Sequence, residues 1–75
     1  MNLKEAAAVA KQQVSDLFAP EILQNVRLEQ FLYDDHLGVW SLTVGFALSN
    51  AEELRSYKIV RVSEADKSVL SIGDP

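Results

Sequence analysis

Apolar side chains recur at Leu3, Ala7, Ala10, Val14 and Leu17, in steps of four, three, four and three. That spacing draws one stripe along an α-helix and predicts a helix over residues 3–18. Ala6 and Phe18 widen the stripe. Asn2 has the side chain of an N-cap, and Glu5 stands three residues on, where a capping-box partner belongs. Alanines in mid-stripe would let the helix axis lie close to a sheet, with Val14, Leu17 and Phe18 filling the far end. Ala19-Pro20 ends the helix, because proline pushes the residue before it away from helical angles.

Beyond a connector at 20–24 the period changes from helical to alternating. The plainest strand is the second, where Trp40, Leu42, Val44, Phe46 and Leu48 alternate with Val39, Ser41, Thr43, Gly45 and Ala47. Gly45 is a weak point in it, or a place where another backbone approaches. A first strand spans Asn25 to Tyr33, with Val26 and Leu28 on one face and Arg27 and Glu29 on the other. Simple alternation would then turn Gln30 inward and Phe31 and Tyr33 outward. A bulge at Gln30 would shift that register, and the pattern leaves both open. Asp34-Asp35-His36 with Gly38 reads as a hairpin loop. Ser49 or Asn50 could cap a short turn carrying Glu52 and Glu53. A third strand runs from Leu54 to Ser63, with Val60 and Val62 on one face and Tyr57, Ile59 and Arg61 on the other. A polar turn leads to a short fourth strand, Val69 to Ile72, with Leu70 and Ile72 inward. Short connections pair strands antiparallel. The fold class expected is α+β, an N-terminal helix packed on one face of a four-stranded antiparallel meander.

Composition narrows what such a chain does. At 75 residues it is read as one domain, 1–75, with a small core. It has no cysteine, which removes thiol catalysis, zinc–thiolate sites and disulfides. Net charge is −4, so a phosphate backbone is repelled, and nucleic acid is not an expected partner. Arg55, Lys58 and Arg61 read as a solvated strand face flanked by glutamates. No run approaches the ~18 apolar residues of a membrane span. Lys4, Glu5 and Lys11 interrupt any secretory signal, so a cytoplasmic setting is expected.

Candidate chemistry is sparse. His36 beside Asp34 and Asp35 could be a carboxylate–histidine cluster, but adjacent turn residues seldom converge on one ion, and no metal site is expected. No serine sits in a nucleophile elbow, and the three glycines are too scattered to cradle phosphate. Glu52 and Glu53 are sequence neighbours whose side chains diverge. No catalytic residue and no cofactor is expected. The sheet face left over by the helix is more informative. In the simple register it carries Phe31, Tyr33, Val39, Tyr57, Ile59 and Arg61, an aromatic patch rimmed by arginine that reads as a partner-binding surface. Its partner would be another protein or a second copy of the chain. An alternative is an accessory subunit that holds a small ligand or peptide between helix and sheet, near Phe18, Trp40 and Phe46.

Tyr57-Lys58-Ile59-Val60-Arg61-Val62, a polar turn over Ser63 to Lys67, and Val69-Leu70-Ser71-Ile72 resemble the closing hairpin of PepSY-like domains. The alanine-bearing helix and the strand around Trp40 fit the same plan. Lys67-Ser68 replaces the glycine usual in that last turn. The overall shape is also similar to cystatin-like folds. The resemblance implies a non-enzymatic module that binds or restrains another protein, inhibitory or regulatory in effect, and brings no catalytic residue with it.

Overall fold

The computed structural model describes residues 1–48 and 54–75. Helix α1 spans Leu3–Phe18, and strands β1 to β4 span Gln24–Asp34, Val39–Ala47, Arg55–Ser63 and Val69–Gly73. The strands form one antiparallel sheet in the order β1-β2-β3-β4. This is the α+β helix-on-meander plan expected from the sequence. The expected turn at Ser49 to Glu53 lies outside the described residues.

The helix begins as its sequence dictates. The Asn2 side chain accepts from the Glu5 backbone N–H at 2.8 Å, and the Glu5 carboxylate accepts from the Asn2 N–H at 3.0 Å. Two backbone donors that no helical carbonyl can reach are thereby satisfied. Ala19 leaves helical angles at ψ 144° before Pro20.

The buried stripe is Ala6, Ala10 and Val14, all fully buried against Leu42, Val44, Phe46, Val60 and Val62. Leu17, expected in the stripe, is 50% exposed. The helix is rotated so that Phe18 meets Phe46 instead, ring centroids 5.0 Å apart. The expected large face of β2 is therefore the core face. Leu70 also departs from expectation. Val62 pairs with Val69 and Arg61 with Ser71, so Leu70 is the extra residue of a bulge. It stands 55% exposed, while Val69 and Ile72 pack inward.

At the other end of the helix a polar clasp closes the sheet. The Glu64 carboxylate accepts from the Met1 amino group at 2.7 Å and from the Trp40 indole N–H. The Met1 ammonium, then the indole, hold the Glu64 carboxyl below the usual range.

Candidate contact surface

β1 decides which residues the outer sheet face carries. Leu28 pairs with Val44, but Gln30 pairs with Thr43, so one extra residue is inserted into β1 between these pairs. Glu29 and Gln30 both turn outward, and every later residue changes face. Phe31 then pairs with Leu42, and Tyr33 with Trp40. Directly paired residues share a face, so Phe31 and Tyr33 lie on the helix side. The Tyr33 and Trp40 rings are 4.8 Å apart. Of the two registers the pattern allowed, the bulged one forms. Phe31 and Tyr33 remain 57% and 40% exposed because the helix does not reach over that part of the edge strand.

The other four expected patch residues do share the outer face. Val39 pairs with Ser63, Ile59 with Thr43, Tyr57 with Gly45, and Arg61 with both Ser41 and Ser71. Two residues that the pattern did not place there, Leu32 and Leu70, join them. Leu32 pairs with Ser41, and Leu70 is put outward by its own bulge. Leu37 comes from the hairpin loop. The Asp34 carboxylate shapes that loop by accepting from the His36 and Leu37 N–H groups at 2.9 and 3.1 Å. Gly38 closes it at φ +64°, a conformation that costs a side chain dearly.

Leu32, Leu37, Val39 and Leu70, with Asp34 and Arg61, line an open groove of about 520 Å³. A second recess of about 180 Å³ lies beside it along β3 and β4, and Arg61 borders both. Leu32, Leu37 and Leu70 are 67%, 75% and 55% exposed. Their side chains stand out into solvent, unlike the enclosing walls of a small-molecule pocket. The one helix among the described residues lies on the opposite face.

The other end of the outer face is polar, and its groups pair largely with one another, although the buried Arg55 Nε has no hydrogen-bond partner among the described residues. Arg55 lies across Gly45, with Nη2 donating to the Asn25 carbonyl at 3.0 Å and 3.5 Å from Glu29 Oε1. A Cβ at Gly45 would stand 2.7 Å from that guanidinium and 2.8 Å from the Glu29 side chain. The approach expected at Gly45 is thus made by two side chains. Pairing puts Arg27, Arg55 and Arg61 on this face, and these are all the arginines of the chain. Lys4 and Lys11 are on the helix, Lys58 pairs with core-facing Val44, and Lys67 is in a turn, so no lysine is on this face. Contact surfaces favour arginine and disfavour lysine in the same way.

The groups considered for a ligand site between helix and sheet do not converge. Phe18 packs on Phe46, and Trp40 lies six residues away along β2, about 20 Å at ~3.3 Å per residue. Among the described residues no helix is long and apolar enough to cross a membrane. No family model, curated protein or solved structure matches the chain.

Proposed function

We propose that this chain is a small interaction module without catalysis of its own, which docks a protein partner on the outer sheet face. The observation that carries this reading is the groove: exposed Leu32, Leu37 and Leu70 line it around Val39, bordered by Arg61. Scattered apolar residues are ordinary on a surface, but a contiguous cluster keeps an energetic cost until a partner covers it. The resemblance to PepSY-like domains supports the same reading and suggests an inhibitory or regulatory effect on the partner. A cytoplasmic setting is part of the proposal, and imaging a fluorescently tagged chain checks it.

The test is partner recovery with tagged variants. Leu32→Glu and Leu70→Glu should lose the partner recovered by the native chain, with helical circular dichroism and melting temperature unchanged. Phe31→Glu, one residue away on the opposite face, should keep it. Retention of the partner by Leu32→Glu would contradict the proposal.

A further inference from the structure

We infer that the occupant of the outer face is a second copy of the chain, an inference that rests on reading that face as a contact surface. The groove holds one acid and one base, Asp34 and Arg61, on opposite sides of its apolar floor. Neither forms an ion pair with another described residue. Any two points on a sheet face are exchanged by a two-fold axis lying in the plane midway between them. Applied here, that axis sets Asp34 of each copy against Arg61 of the other, with Val39 and Ser41 of β2 between them. Such a patch is self-complementary, which is what an isologous dimer requires. The protruding Leu37 and the recess beside Arg61 supply knob and hole on one surface.

The area suffices. Four strands ~4.8 Å apart and nine residues of β2 give a footprint on the order of 600 Å². With side-chain relief, that is comparable to the ~800 Å² each partner buries in a standard interface. Two such sheets stacked ~10 Å apart make a sandwich whose middle layer both copies supply. A chain this short gains from it, because a small domain buries a smaller fraction of its surface than a large one.

Sedimentation equilibrium on four chains tests the pairing: native, Asp34→Asn, Arg61→Glu and the double variant. Asparagine keeps the oxygen that shapes the hairpin loop and removes only the charge. The native chain should dimerise at tens of micromolar or below. Asp34→Asn should weaken it about tenfold, and Arg61→Glu, which faces Asp34 with a like charge, about a hundredfold. In the Arg61→Glu background the sign should reverse, with Asp34→Asn strengthening association about tenfold. Circular dichroism confirms that each chain is folded, and Arg61→Gln replaces Arg61→Glu if the latter is not. Asp34→Asn should then weaken association in the native background and have little effect beside Arg61→Gln. A native chain that is monomeric at 100 µM overturns the inference, as does Asp34→Asn acting equally in both backgrounds. Monomeric behaviour leaves the contact reading to the Leu32→Glu recovery test, so the two ideas fail separately.

Discussion

At the residue scale, side-chain size and backbone angle decide most of what is seen. Asn25 sits at φ 52° beside the first irregularity of β1. Asparagine tolerates that region, and a β-branched residue does not. Asn25→Val should therefore cost about 1–3 kcal/mol by urea denaturation, while Asn25→Gly should cost far less. At Gly45 the neighbours are ends of flexible side chains, so Gly45→Ala should displace Arg55 from Glu29 and the Asn25 carbonyl with the sheet intact. The measurable sign is a chemical-shift change at the Arg55 Nε–H without loss of the β-sheet signal. Inner and outer residues of β2 and β3 were legible because alternation is unbroken there. Phe31, Leu32, Tyr33 and Leu70 were not. One inserted residue reverses every face after it, and Glu29-Gln30 carries no glycine or proline to mark the insertion.

At the element scale, the helix was legible from its cap to its last residue. Asn2, Glu5 and Pro20 act locally and need no tertiary knowledge. Its rotation was less so: Ala6 and Ala7 are equally small and apolar, so periodicity could not choose between them. Contact with the sheet does, favouring the line of Ala6, Ala10 and Val14 that permits the closest approach. Two outcomes follow. Asn2→Ala should lower stability by about 1 kcal/mol, the usual cost of losing such a cap. Ala10→Leu, which forces a large side chain into a fully buried contact, should cost about 1–3 kcal/mol. Equal stability of Ala10→Leu and the native chain would mean that the helix does not lie where described.

At the scale of the whole molecule, three carboxylates link pH to stability. Glu5 is held low by the Asn2 backbone N–H and then by Lys67. Glu64 is held low by the Met1 ammonium and the Trp40 indole, and Asp66 by the Ser68 hydroxyl and N–H. A carboxyl whose folded value is depressed stabilises the fold above its unfolded value and loses that contribution as pH falls. Stability should be flat near neutrality and decline on acidification through and below the ordinary glutamate value of 4.5. Trp40 fluorescence should shift in the same range as Glu64 protonates, and Glu64→Gln should flatten that part of the profile. The position of the helix on the sheet was legible from the alternation in β2. The groove was only partly so, since all three of its leucines reach it through bulges and a loop.

The most direct measurement of the central claim is photo-crosslinking in living cells from two adjacent positions. A benzophenone side chain at position 32 points away from the helix, and one at position 31 lies on the helix side. A strong protein adduct is expected from 32 and little from 31. Adducts from 31 alone, or equal yields from both, would contradict the outer sheet face as the contact surface.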